Sequence, residues 1–135
     1  MIKIYVSHSI RGPKGLAATE KDMRYSCDRI KLIIGRLRED FPEIEFYLPA
    51  ESEQFVGIAY REKFLTELQI LNIDCEIIDT CNLVMIFVPV DDSEVQGGRL
   101  IEKAYAVVNG MPVLEFESLA GAAYQLNAYL GVYNE

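Results

Sequence analysis

The chain has 135 residues, of which 50% are hydrophobic, and we expect it to form one domain, residues 1–135, with a continuous core. Its formal net charge of -8 argues against a nucleic-acid partner, because phosphate backbones are bound by clustered lysine and arginine. No apolar run approaches the roughly 18 residues of a membrane span and no signal-peptide pattern is present, so we expect a cytoplasmic protein without a membrane partner.

The first predicted strand, residues 1–6, alternates apolar and polar residues and then becomes apolar. It ends in residues 7–13, which are rich in turn formers and predict a loop. Apolar residues then recur at helical spacing over residues 19–38, with lysines and arginines on the other face. The Phe41-Pro42 pair closes this first helix.

A short second strand is predicted at residues 44–48, where apolar and polar residues alternate before Pro49. Residues 50–59 are acidic and have no clear period, which makes this stretch our candidate for a mobile lid. A long helical pattern follows, and its apolar residues form one stripe: Phe64, Leu68, Leu71, Cys75 and Ile78.

The central strand is predicted at residues 83–88, a continuous apolar run typical of a strand buried on both faces. An acidic loop, residues 89–96, leads into a helix from about Gly98 to Asn109, which Gly110 ends. A fourth strand at residues 112–116 and a helix capped by Ser118 complete the chain.

This alternation of strands and helices predicts right-handed crossovers and a parallel sheet with helices on both faces. We expect a single flavodoxin-like, doubly wound α/β domain with strand order 2-1-3-4, with a fifth edge strand as a variant. In this order the loop at residues 7–13 and the turn at residues 96–102 should face each other across a crevice, where such sheets bind ligands.

One acid, Glu102, lies in the first turns of the third helix and is predicted at the mouth of this crevice. A carboxylate there could be a nucleophile or a general acid/base at an anomeric carbon. Gly97 and Gly98 could let a ligand approach the backbone N–H groups at the helix start. Alternatively, the acid only offsets the helix macrodipole and the glycines only form a turn.

Ser9, Ile10, Arg11 and Gly12 follow the first strand at the same crevice. Arg11 could hold a phosphate through its planar fork of donors, and Ser9 could add a hydroxyl, although loops of this composition are common. Neither the dinucleotide fingerprint G-x-G-x-x-G nor a P-loop is present, which argues against classical dinucleotide and triphosphate sites.

The other polar candidates have simpler interpretations. His8, the only histidine, is more readily a polar loop residue than part of a Ser-His-Asp triad, because no G-x-S-x-G motif accompanies it. Asp74 and Asp79 could bind sugar hydroxyls, although isolated helix acids are more often solvated. With one histidine and no cysteine pairs we expect no transition-metal site and no cofactor. We expect the cysteines to be packing residues: Cys27, Cys75 and Cys81.

Several of these pieces, in this order and at this spacing, resemble the nucleoside 2-deoxyribosyltransferase superfamily. They are the first strand with its Ser9-Ile10-Arg11-Gly12 loop, Asp74, the element Gly98-x-x-x-Glu102, and the turn Gly110-Met111-Pro112-Val113. The similarity spans most of the chain. Its nearest branch is that of the 2'-deoxynucleoside 5'-phosphate N-hydrolases.

The resemblance implies a homodimer or larger assembly that cleaves the N-glycosidic bond of a 2'-deoxynucleoside 5'-monophosphate. Glu102 would match the catalytic glutamate that attacks C1', giving a deoxyribosyl-enzyme that water resolves. Asp74 would match the acid that orients the sugar and assists the base. The nucleotide site would be lined by the first strand and its loop, with Arg11 near the phosphate: Tyr5, Ser9, Ile10, Arg11 and Gly12.

Gln96 stands where the hydrolases have a phosphate-binding serine and the transferases an aspartate. Glutamine can donate to a phosphate but cannot replace a carboxylate that accepts from a sugar hydroxyl, so it favours a hydrolase over a base-exchanging deoxyribosyltransferase. With Gly97 and Gly98 it completes the predicted substrate site. Two further interpretations stay open: a TIR-like NAD glycohydrolase and a non-catalytic nucleotide-binding module.

Overall fold

Four parallel strands form one sheet in the order β2-β1-β3-β4. In the computed structural model, which describes residues 1–90 and 97–133, they are β1 (Ile2–Ser7), β2 (Ile44–Tyr47), β3 (Leu83–Phe87) and β4 (Val113–Phe116). In the register, Ile4 of β1 pairs with Phe46 on one side and Leu83 on the other. The predicted flavodoxin-like α/β fold and strand order are confirmed, without a fifth strand in the described residues.

The described residues form five α-helices, with one after each of β1, β3 and β4 and two after β2: α1 (Glu20–Asp40), α2 (Glu53–Arg61), α3 (Glu67–Ile78), α4 (Gly97–Val108) and α5 (Leu119–Tyr133). Capping boxes begin two of them, Thr19 with Asp22 at α1 and Thr66 with Gln69 at α3. Ser118 caps α5 as predicted, since its hydroxyl accepts from the backbone N–H of Gly121 at 3.1 Å. None of the helices in the described part of the chain has the length and apolar character to span a bilayer.

Side chains of β1 and β3 alternate between two hydrophobic cores, one on each face of the sheet. Ile4 and Met85 pack with residues of α1 and α5, whereas Tyr5 and Val84 pack with residues of α3 and α4. Every residue of β3 is buried, as expected for a central parallel strand. Helices therefore cover both faces, and the carboxyl ends of β1 and β3 meet at one edge.

The stretch predicted as an irregular lid is helical. Pro49–Ser52 forms a 3₁₀ turn and α2 follows it directly. Because α2 has only nine residues, it places just Ala59 in a fully buried position and shows little periodicity in the sequence. The stretch is thus a structured wall of the molecule.

The apolar stripe predicted for α3 is too long. The helix begins at Glu67 because Thr66 caps it, so Phe64 lies before the helix and is exposed. Leu68, in its first turn, is exposed as well. The stripe holds only from Leu71 to Ile78, where the helix meets the sheet and α4.

The cysteines occupy packing positions. Cys27, on α1, is buried in the core on one face of the sheet, and Cys81 is buried in the core on the opposite face. Cys75 is half-buried on α3, and all three thiols are free. The prediction of packing residues is confirmed for the two that lie in the cores.

Candidate active site

A cleft of about 930 Å³ opens beside the carboxyl ends of β1 and β3, where the chain turns to opposite faces of the sheet. Its walls are the loop after β1, helix α2, the first half of α3 and the start of α4. All the predicted site residues that the structure describes line it: Tyr5, Ser9, Ile10, Arg11, Gly12, Asp74, Gly97, Gly98 and Glu102.

Glu102 lies at the floor of the cleft and not at its mouth as predicted. The turn of α4 aims positions 99, 102 and 106 at the sheet, so the Glu102 side chain is only 5% exposed. The Ser7 hydroxyl donates to its Oε1 at 2.7 Å, and the Tyr5 hydroxyl donates to its Oε2. Both donors come from β1, because residues two apart on a strand face the same side. The carboxylate is therefore fixed by two hydrogen bonds from the central sheet.

Burial controls the protonation of this carboxyl group. Desolvation raises the pKa of Glu102 to about 7, against the hydrogen bonds from Tyr5 and Ser7, which favour the anion. Burial and the neighbouring Glu102 also raise the pKa of Tyr5 far above its usual range. Tyr5 consequently stays protonated and donates its hydrogen bond at any working pH.

Asp74, on α3, lies across the Tyr5 hydroxyl from Glu102. Burial raises its pKa to about 6, while the nearby Tyr5 hydroxyl opposes the shift. Because Asp74 also raises the pKa of Glu102, the two carboxyl groups titrate as an interacting pair. The structure thus brings together the two acids predicted to be catalytic.

Asp79, the other candidate acid on α3, does not line the cleft. It follows the last residue of the helix and accepts a hydrogen bond from the Tyr105 hydroxyl at 2.6 Å. This end of α3 points away from the cleft, so a sugar bound beside Asp74 would not contact Asp79. The prediction that Asp79 binds sugar hydroxyls has no support in this geometry.

The loop after β1 forms the rim opposite α4. The Ser9 hydroxyl accepts from the backbone N–H of Gly12 at 2.8 Å and closes a tight turn. Gly12 has φ +73°, and a Cβ there would come within 3.0 Å of the Ser26 hydroxyl, so this position requires glycine. The turn exposes the guanidinium of Arg11, which forms no ion pair with the described residues.

His8 is in the predicted loop but is buried there. Its Nε2 accepts a hydrogen bond from the backbone N–H of Ala50 at 3.1 Å. Burial lowers the pKa of His8 to about 4, so the imidazole is neutral at pH 7. His8 therefore connects the loop after β1 to the turn that precedes α2. The partner of its Nε2 is a backbone N–H group, and not the serine hydroxyl of a catalytic triad.

Three site features were missed at the sequence level. Ser7 donates to Glu102, Tyr47 stacks on Tyr5 with ring centroids 5.6 Å apart, and Arg99 donates to the carbonyl of Phe87 at 3.0 Å. Ser7 could have been found from its position two residues after Tyr5 on the same strand face. Arg99 is buried at the end of β3.

The burial of Glu102 predicts a pH-dependent cost in stability. Its folded-state pKa of about 7 exceeds the ordinary value of 4.5, so its stabilising contribution is complete below about pH 4.5 and lost as the pH rises through about 7. Above that range the buried charge should cost about 3 kcal/mol. We expect Glu102→Gln to unfold at higher urea concentration than the wild type at pH 8, with the difference vanishing near pH 4.5.

The matched control for this measurement is Glu76→Gln on α3, because Glu76 is exposed. It should change the free energy of unfolding by less than about 0.5 kcal/mol at either pH. A Glu102→Gln protein less stable than the wild type at pH 8 would contradict the assigned burial cost.

The start of α4 completes the cleft. Gly97 has φ +57°, and a Cβ on Gly98 would lie 3.4 Å from the Leu71 side chain of α3. Gln96 lies outside the described residues. In the part of the chain that the structure describes, no group of three His, Cys, Asp or Glu side chains is placed to hold a metal ion.

Comparisons of the chain with protein-family models, curated proteins and solved structures gave no match, so its function must be inferred from this cleft.

Proposed function

We propose that this protein is an N-glycosidase that cleaves the bond between the base and the deoxyribose of a 2'-deoxynucleoside 5'-monophosphate. The proposal depends above all on the Glu102 carboxylate, which is buried at the floor of the cleft and oriented by Tyr5 and Ser7. A second carboxyl group, Asp74, lies beside it, and the cation of Arg11 lies at the rim.

The first step is attack of Glu102 on C1' of the sugar. The bond from C1' to the base nitrogen breaks with its electron pair on the base, through an oxocarbenium-like transition state. Asp74, in its protonated form, gives its proton to the departing base. The product is a deoxyribosyl ester on Glu102 and a free neutral base.

In the second step, water attacks C1' and releases Glu102. Asp74, now a carboxylate, accepts the proton of the water. The hydroxyls of Tyr5 and Ser7 stabilise the departing glutamate anion, because both already point at its two oxygens. Each carboxyl group then returns to its starting protonation state.

Arg11 supports a phosphorylated substrate. In a chain with net charge -8, a phosphate needs a local cation, and Arg11 is exposed on the rim of the cleft. We expect Arg11→Ala to raise KM for a deoxynucleoside monophosphate about tenfold or more, the loss of a charge-assisted contact, with little change in kcat. Steady-state kinetics should show no such effect on the unphosphorylated deoxynucleoside. An equal loss on both substrates would argue against a phosphate contact.

The proposal is tested by measuring base release from each deoxynucleoside monophosphate, with Glu102→Gln as the control for contaminating activity. Release from monophosphates without an acceptor base supports the hydrolase. Exchange only in the presence of a second base would identify a deoxyribosyltransferase, and release of nicotinamide from NAD would identify a NAD glycohydrolase. Binding without turnover on every substrate would leave a nucleotide-binding module.

We also propose that the chain forms a homodimer. Helices beside the cleft expose several large apolar side chains: Phe55 and Ile58 on α2, Leu68 and Ile73 on α3, and Leu100 and Ile101 on α4. Covering them in a second copy would remove this surface from water. Sedimentation should give about twice the chain mass of 15.3 kDa, and a monomer at micromolar concentration would contradict the proposal.

A further inference from the structure

The large cleft has few positive charges for a site that binds a phosphate. Five acidic side chains line it, Glu102 and Asp74 among them, together with three arginines, Arg11, Arg61 and Arg99, and no lysine of the described residues. A phosphate monoester carries a charge of about −1.5 to −2 at pH 7. Arg11 alone would leave much of this charge uncompensated beside so many carboxyl groups. The other two arginines therefore decide whether the cleft can hold a phosphate.

The three arginines differ in what they are free to bind. Arg99 is buried and donates to the carbonyl of Phe87 at 3.0 Å. Arg11 and Arg61 are exposed, and neither forms an ion pair or a hydrogen bond with residues 1–90 and 97–133. Each guanidinium has five N–H donors in a planar fork that matches the oxygens of a phosphate. Two such groups are thus available on separate walls of one cleft.

Arg61 is the last residue of α2 and belongs to the face of this helix that lines the cleft. Gln54, Ile58 and Arg61 follow one another at helical spacing, and all three line the cleft. The helix starts from an anchored turn, because the backbone N–H of Ala50 donates to His8 at 3.1 Å and the Ala50 side chain is buried in the core. The fold therefore determines that Arg61 lies on the cleft side of α2.

We propose that Arg61 is a second binding residue for the substrate phosphate, and that the phosphate is held between Arg61 on α2 and Arg11 on the loop after β1. The identity of the substrate in this inference rests on the proposed function. Two arginines supply the positive charge that the acidic cleft otherwise lacks, so they select phosphorylated sugars over unphosphorylated ones. A simpler role for Arg61 is to offset the macrodipole at the end of α2, which would affect stability and leave ligand affinity unchanged.

The test is isothermal titration of 2-deoxyribose 5-phosphate into the full chain, with 2-deoxyribose as the unphosphorylated reference. This sugar phosphate has no base, so an N-glycosidase cannot turn it over. We expect saturable binding to the wild type, weakened about tenfold by Arg61→Gln because a charge-assisted contact is lost. Arg61→Lys should have an intermediate affinity, since lysine keeps the charge without the planar fork. Binding of 2-deoxyribose should be the same in all three proteins.

The matched control is Lys63→Gln. Lys63 lies two residues after Arg61, is exposed and does not line the cleft, so this variant removes the same charge from nearly the same place without removing the contact. Its affinity for the sugar phosphate should equal that of the wild type. Equal weakening by Lys63→Gln and Arg61→Gln would overturn the proposal, and so would an unchanged affinity in Arg61→Gln or the absence of sugar-phosphate binding to the wild type.

The double variant Arg11→Ala/Arg61→Gln tests whether the two arginines together form the phosphate site. It should bind 2-deoxyribose 5-phosphate no more tightly than 2-deoxyribose, and a retained preference for the phosphorylated sugar would contradict the proposal. The outcome is separate from that of the base-release assay. Base release with an affinity insensitive to Arg61 would reject this inference alone, whereas Arg61-dependent binding without base release would reject the proposed function alone.

Discussion

Glu102→Gln should reduce the rate of base release by at least about 10³-fold, because an amide neither attacks C1' nor leaves as a stable anion. Glutamine keeps the size of the side chain and can still accept from the Tyr5 hydroxyl, so the cleft retains its shape. Single-turnover measurement with saturating monophosphate isolates this step from substrate binding. The dissociation constant of the substrate should change by less than about tenfold.

The same substitution should stabilise the protein above pH 7 while it removes activity. Opposite effects on stability and turnover exclude unfolding as the cause of inactivity, and they are typical of sites that bury a charge for chemistry. The control Glu76→Gln should leave both quantities unchanged. Turnover by Glu102→Gln at more than a tenth of the wild-type rate would end its assignment as the nucleophile.

The second large effect is expected at Asp74. Productive enzyme has Glu102 ionised and Asp74 protonated, so kcat/KM should fall as the pH drops below about 6 and also as it rises above about 7. The profile should be a bell with its maximum between these values. Since Glu102, the nucleophile, has the higher pKa, only a minority of molecules have Glu102 ionised and Asp74 protonated at the optimum. The two apparent pKa values of the profile describe the coupled pair and not the individual residues.

Asp74→Asn should lower kcat/KM by about 10² to 10⁴ and remove the decline at higher pH, because asparagine cannot deliver a proton. The control is a substrate whose base already carries a positive charge and leaves without protonation; on it the variant should recover most of the wild-type rate. Asp79→Asn, five residues further along the chain and outside the cleft, should leave the profile unchanged. An intact bell in Asp74→Asn would assign the proton transfer to another group.

The sheet could be predicted from the sequence because its determinants are local. The apolar run from Leu83 to Phe87 and the alternation in β2 specify strands whatever their partners. Helix α2 was not predicted because its nine residues make little more than two helical turns, too few to show a clear periodicity. The true start of α3 is set by Thr66, a signal weaker in the sequence than the apolar residues before it.

The depth of Glu102 could not be predicted for a different reason. A glutamate in the first turns of a helix ordinarily faces water, and its burial here depends on hydroxyl donors 95 and 97 residues earlier in the chain. That Asp74 lines the cleft and Asp79 does not also depends on the three-dimensional structure. Five residues of helix move a side chain about 7.5 Å along the axis and about 140° around it, which is enough to leave the cleft.

The Tyr5 and Ser7 donors belong to a strand that is paired on both sides, whereas Arg11 and the neighbouring turn lie beyond its end. Opening of the outer loops by local unfolding would leave these donors in place, because β1 is hydrogen-bonded to a neighbouring strand on each side. Under the proposed function, the outer loops would control ligand entry and β1 would align Glu102, so the two tasks would fall to regions of different local stability. Sequence drift in the outer loops can alter which molecules enter without disturbing the geometry beneath.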